Sequence, residues 1–205
     1  MAEKATGPPT RPTLLRRIHD ADDREAWQTF VDVYGPLVYR RARSRGLQDA
    51  DAAEIAQEVL FRVSRAIRQF EYDSRRGSFR EWLGTITHNR IRSFLQKEAG
   101  LIHGRGQDDA EDILQSHPAV EQDTQWTEEF NRHLLDTALQ RCRPCCEEQT
   151  WRAFELVWLQ DRPAAAVARE LGQKINWVYL MKSRVLKRLQ QEVEELAEDI
   201  PQLLR

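Results

Sequence analysis

Apolar residues recur along this chain at intervals of three and four, the spacing that gathers them on one side of a helix. No stretch shows the alternation of a half-buried strand, so the pattern is all-α. Residues 1–12 are small, polar and proline-rich and read as a disordered tail. A short helix is predicted from Thr13 and a second from Asp22-Asp23, where acids suit the positive end of the helix dipole. Ala26, Trp27, Phe30, Val31 and Tyr34 give the second helix its apolar stripe. Gly35-Pro36 predicts a break, after which Leu37 to Arg45 continues as helix with Gly46 as its C-cap. The next helix opens at Asp49 or Asp51. Ile55, Val59, Val63, Ile67 and Phe70 repeat about every four residues along it, and Asp51, Glu54, Gln57, Glu58, Arg62 and Arg65 fall on its outer side.

The stretch from Phe70 to Lys97 reads as a loop feeding a capped helix. Its polar entry ends in Arg75-Arg76-Gly77. Ser78 and Glu81 then have the spacing of a capping box. Phe79, Leu83, Ile86 and Phe94 recur at helical spacing, while Arg80, Thr85, His88, Asn89 and Arg92 occupy the other side. That side offers hydrogen bonds and positive charge without a catalytic grouping, which suits a nucleic-acid strand better than a small molecule.

From Gly100 the periodicity dissolves into a glycine-bearing, acid-rich segment that reads as a tether. It resumes near Trp126. Phe130, Leu134, Leu135 and Leu139 mark a helix ending at Arg141, and the Cys142 to Cys146 segment, CRPCC, is the turn. A helix over 147–159 follows, with Trp151, Phe154, Val157 and Trp158 inward. Pro163 suits the first turn of a short helix over 164–171, Gly172 marks a turn, and Asn176 is a candidate N-cap for a helix running through Leu189. A short helix, a tight turn and a longer helix bearing Lys182, Arg184, Lys187 and Arg188 make a helix-turn-helix, with Val167, Leu171, Ile175, Val178, Val185 and Leu189 as its core.

Composition changes this picture little, but charge changes it more. The 205 residues suffice for one large or two small domains, and no apolar run approaches the length of a bilayer span. The N-terminus lacks an apolar signal core, so the expectation is a cytoplasmic protein without membrane insertion. The net charge of −2 conceals a polar layout: residues 11–97 hold 17 basic against 12 acidic residues, and residues 98–128 hold 1 against 8. Residues 129–205 balance at 12 each. Two folded segments therefore flank an acidic joint, and the overall charge is a poor guide to nucleic-acid affinity.

Three stretches, in this order, resemble a known family: DAAEIAQEVLFRV over 51–63, GSFREWLGTITHNRIRSFLQK over 77–97, and RPAAAVARELGQKINWVYLMKSRVLKRL over 162–189. Together they resemble a bacterial RNA polymerase sigma factor of the extracytoplasmic-function (ECF) class, the minimal kind that keeps the second and fourth sigma regions. WRAF near 151 and RPAAAVARELG look like a subgroup from planctomycete-type bacteria. The resemblance implies two helical domains joined by a flexible acidic linker: region 2 over 13–97, linker over 98–128, region 4 over 129–196, and a tail over 197–205. It implies that Asp51, Glu54, Gln57 and Glu58 dock on core RNA polymerase. It places Arg75, Arg76, Ser78, His88, Asn89 and Arg92 against the melted −10 strand of promoter DNA, with Asn89 at the family's base-contacting position. Asn176, Tyr179, Lys182, Ser183, Arg184, Lys187 and Arg188 fall on the −35 duplex. Asn176-Trp177 and Tyr179 depart from the commoner pattern, which opens this helix with a small residue and carries arginine near 179. Factors of this class are often held by an anti-sigma partner.

Competing readings have less in the sequence to stand on. Cys142-x-x-Cys145-Cys146 with His133 upstream has zinc-ligand types but no second matching pair, and buried or incidental thiols account for it as well. No phosphate-binding loop, nucleophile elbow or metalloprotease motif is present, so the sequence implies neither an enzyme nor a cofactor. A stand-alone helix-turn-helix regulator is the alternative; it needs only the C-terminal half and leaves the 51–97 pattern unexplained.

Overall fold

The computed structural model describes residues 13–69, 79–100 and 124–196. Among these, every regular element is helical, as the periodicity predicts. The elements are α1 (Leu14–Arg17), α2 (Arg24–Ser44), α3 (Asp49–Ala66), α4 (Phe79–Glu98), α5 (Thr124–Cys142), α6 (Glu148–Phe154), α7 (Ala164–Glu170) and α8 (Ile175–Leu196). Phe70, Arg75 and Arg76 of the predicted loop, the predicted cap Ser78, most of the stretch read as a tether and both stretches read as tails lie outside the described residues. The chain divides into two compact units, with the change from first to second falling between Trp126 and Thr127.

The first unit is built on α2, α3 and α4. Thr13 caps α1 through its hydroxyl, which accepts from the Arg16 N–H. Asp23 caps α2 by accepting from the Ala26 N–H, and Arg17 clasps the same carboxylate at 2.8 Å. The Arg17 guanidinium, reinforced by the Ala26 N–H, holds the Asp23 carboxyl below the usual carboxylate range. The predicted break at Gly35-Pro36 does not occur: α2 runs unbroken from Arg24 to Ser44 with Pro36 inside it. An internal proline costs about 3 kcal/mol through its missing N–H and ring clash. Buried Phe30, Val33 and Tyr34 before it and Leu37 and Val38 after it hold both halves of the helix to one core, which offsets that cost. Val33, rather than the exposed Val31, completes the stripe. At the far end Gly46, with φ 91°, caps α2 as expected.

On α3, Ile55, Val59, Val63 and Ile67 are buried as the four-residue repeat predicts. Phe79, the first residue of α4, is driven into the α2 core. Its ring meets Tyr34 edge-on at 5.4 Å and Phe30 at 6.0 Å. Leu83, Ile86 and Ile91 continue the buried side of α4. Gly84 on the same helix permits a close approach: the indole Nε1 of Trp126, the last residue of the first unit in this direction, donates to the Arg80 carbonyl at 2.9 Å. A Cβ at position 84 would stand 2.5 Å from that nitrogen.

The second unit has two adjoining cores. Ala138 and Cys142 of α5 meet Trp151 and Phe154 of α6 and Val185, Leu189 and Val193 of α8. Leu156 and Val157 meet Ala164, Val167 and Ala168 of α7 and Val178 of α8, with Leu171 and Trp177 packed against them. Residues 124–128, assigned to the linker from sequence, are the first turns of α5. The predicted helix over 147–159 is α-helical through Phe154 and widens to a π-turn over Glu155–Leu159. Pro163 is the N-cap of α7 rather than its first residue. Gly172 adopts φ 63°, and the Gln173 N–H reaches back to the Ala168 carbonyl at 2.9 Å, closing α7 with a left-handed turn that a side chain would strain. α8 begins at Ile175, so Asn176 lies inside the first turn, not at the cap, and the helix continues past Leu189 to Leu196.

Candidate polymerase and nucleic-acid interfaces

The outward side of α3 carries two kinds of group. Glu54 and Gln57 are exposed and Asp51 is half-buried. Glu58, which the pattern places with them, is ion-paired with Arg90 of α4, and both side chains are largely covered. Asp49 at the start of the helix accepts from the Tyr39 hydroxyl at 3.2 Å and pairs with Arg43 at 2.9 Å, which fixes α3 against α2. The same side displays Phe61, one helical turn beyond Gln57. Its ring is 61% exposed, and the Arg65 guanidinium carbon lies 5.9 Å from its centroid. Phe61 was not singled out from sequence. The signal was available: it lies off the Ile55–Val59–Val63 stripe, and an aromatic on the polar side of an amphipathic helix has no core to serve.

On α4, His88, Asn89 and Arg92 are exposed together, spaced to share one side of the helix. Thr85 belongs to that side by spacing but is buried, and its hydroxyl donates to the Glu81 carbonyl at 2.9 Å. The expected polar side is therefore shorter than the sequence pattern and begins at His88. Phe79 and Trp82 form an aromatic pair at 5.7 Å, with Phe79 fully buried, so they anchor the helix. Arg90 faces Glu58. Arg75, Arg76 and Ser78 lie outside the described residues.

On α8, Asn176, Tyr179, Ser183, Arg184, Lys187 and Arg188 are exposed, and Lys182 is half-buried on the flank. Trp177 packs against the second core as a structural residue. Ile175, expected in the core, is instead 41% exposed, although its spacing puts it on the same side of the helix as buried Val178. The thiols lie apart in environment. Cys142 is buried in the first core of the second unit, Cys145 is exposed and Cys146 is half-buried. Burial, aided by the Glu192 carboxylate, pushes the Cys142 thiol up to about 11, and burial raises Cys146 as well. Among the described residues no group of three or more His, Cys, Asp or Glu side chains is arranged to hold a metal ion. None of the described helices is long and apolar enough to cross a membrane.

The bundle that carries the α3 and α4 surfaces also matches a known family. Residues 30–100 match the family model of sigma-70 region 2. No curated protein matches the chain. The first unit thus carries a sigma-70 region 2 domain, a class of module that binds core RNA polymerase and promoter DNA. The match spans about a third of the chain, and it supports a sigma-70 family sigma factor with a part in promoter recognition and transcription initiation.

Proposed function

We propose that this chain is a sigma factor of the ECF class, of the subgroup found in planctomycete-type bacteria, acting in the cytoplasm. In this reading the first domain docks on core RNA polymerase through Asp51, Glu54, Gln57 and Glu58 of α3. The single observation that carries the proposal is the region 2 match falling on a bundle whose α4 is anchored by Phe79 and presents His88, Asn89 and Arg92 outward. An exposed amide both donates and accepts, so Asn89 suits the edge of a base already out of its stack. Arg92, with Arg75, Arg76 and Ser78 of the preceding loop, supplies the phosphate contacts that make such binding salt-dependent.

α7, the Gly172 turn and α8 act as a helix-turn-helix on the −35 duplex. Tyr179, Ser183, Arg184 and Asn176 lie toward base edges, and Lys182, Lys187 and Arg188 lie toward phosphates. The acidic linker tethers the two domains, so that engagement of one raises the effective concentration of the other. The mechanism is non-covalent throughout. An anti-sigma factor is the regulatory partner this class leads us to expect.

The test mixes the purified protein with sigma-free core polymerase and a promoter library. Open-complex formation and specific transcripts are expected. Duplex binding without core-dependent initiation would replace this reading with a stand-alone helix-turn-helix regulator.

A further inference from the structure

α8 is amphipathic in an unusual way. Its inward side is complete without help from its other residues: Val178, Met181, Val185, Leu189, Val193 and Leu196 are all buried. Yet Ile175, Tyr179 and Leu180 stand on the outside of its first two turns, at 41%, 54% and 48% exposure. Few large apolar side chains are exposed among the described residues, and three of them fall within these six positions. The outward side then changes character, since Arg184, Lys187 and Arg188 occupy the following turns. Exposed apolar side chains interleaved with polar ones and followed by cationic ones suit a partner that offers both apolar and anionic groups.

The cationic half fits a phosphate backbone. The apolar half must then meet the groove floor, and the one apolar group that the major groove offers is the C5 methyl of thymine. We propose that Ile175, Tyr179 and Leu180 read thymine methyl groups, so that the duplex element bound by α8 is specified by thymines at its centre. Lys187 and Arg188 on the phosphates fix the register, and Arg184 lies toward a base edge. Asn176 and Ser183, exposed between the apolar residues, supply the polar contacts to neighbouring base edges. The Tyr179 ring covers a methyl group while its hydroxyl stays in reach of a groove acceptor or a phosphate. This inference rests on the reading of α8 as a duplex-binding helix, and it goes further by naming the chemical group that is recognised.

The test uses the full chain with core polymerase on a promoter selected from a library. Each thymine of the upstream duplex element is replaced in turn by deoxyuridine, which removes the methyl and keeps every hydrogen-bonding group. Binding is expected to weaken about fourfold for each methyl lost from the contact. Tyr179→Ala and Leu180→Ala are expected to bind the thymine duplex more weakly and to become indifferent to the deoxyuridine replacement. Both residues are exposed, so both variants keep the fold, and the wild-type comparison needs no variant at all. Equal affinity for the thymine and deoxyuridine duplexes would overturn the inference, as would selected elements without thymine. So would Tyr179→Ala weakening core binding while the effect of deoxyuridine persists, since the patch would then serve a protein. Methyl-dependent duplex binding without core-dependent initiation would uphold the inference and defeat the sigma-factor reading, so the two fail separately.

Discussion

Asn89 and Phe61 are both exposed on the first unit, and each gives a sharp expectation. Asn89→Ala removes one amide from an exposed helix side. Open-complex formation should fall roughly tenfold or more while core-polymerase affinity stays unchanged, measured by strand-opening fluorescence beside a core-binding titration. Loss of core binding instead would make that surface scaffold. Phe61→Ala should show the opposite division. At 61% exposure the ring contributes little to folding, so the melting temperature should hold, while affinity for core polymerase falls by about 2 kcal/mol if the ring is a buried anchor of the docked complex.

Cys142 supplies a prediction for pH. The folded unit keeps its proton until about 11, whereas the unfolded chain releases it near the ordinary thiol value of 9.0. Across that window the unfolded state binds fewer protons, so stability falls as pH rises. Cys142→Ala should lessen the alkaline loss measured by denaturant unfolding at pH 8, 9.5 and 11. With native protein, exposed Cys145 should react first with a thiol reagent.

Individual helices show where pattern reading succeeds and where it stops. The buried sides of α3, α4 and α8 were legible because a helix that buries one side must repeat its apolar residues, and Ile55, Val59, Leu83, Ile86, Val185 and Leu189 do. The continuity of α2 was not legible. Gly35-Pro36 is a strong local break signal, and only packing on both sides of it overrides that signal. Pro36→Ala should therefore stabilise the first unit by about 1–3 kcal/mol, because α2 already has the helical backbone that the proline opposes; chemical denaturation measures this. A loss of stability would mean that the proline shapes the helix in a way the core needs. Burial of Thr85 and exposure of Ile175 escaped the sequence for a related reason. Periodicity gives the side of a helix, but what covers that side at a given height depends on elements distant in sequence. The indole of Trp126 against α4, 46 positions from the Arg80 carbonyl that it meets, is such a cover.

At the scale of the whole chain, there are two compact units, and the sequence holds an acidic stretch over 98–128. The change between the compact units falls between Trp126 and Thr127, and the helix that spans it begins at Thr124, inside the segment read as tether. The candidate surfaces were legible as residue types at helical spacing. The pairing of Glu58 with Arg90 was not, because opposite charges separated by 32 positions leave no periodic trace.

Under the proposed docking roles, that ion pair would give the region 2 module a form of reciprocal linkage. If Glu58 docks as proposed, a polymerase cation would compete with Arg90 for its carboxylate. A polymerase that took the carboxylate would free a guanidinium one residue from Asn89, the proposed strand contact. By thermodynamic reciprocity, a strand that captures Arg90 releases Glu58 and tightens the grip on polymerase. Assembly and strand capture would then reinforce one another through a single broken contact. A double-mutant cycle with Glu58→Gln and Arg90→Gln, read once as core affinity with and once without an opened promoter strand, should give a coupling energy that differs between the two readings. Equal coupling in both would show that the pair only braces α3 against α4.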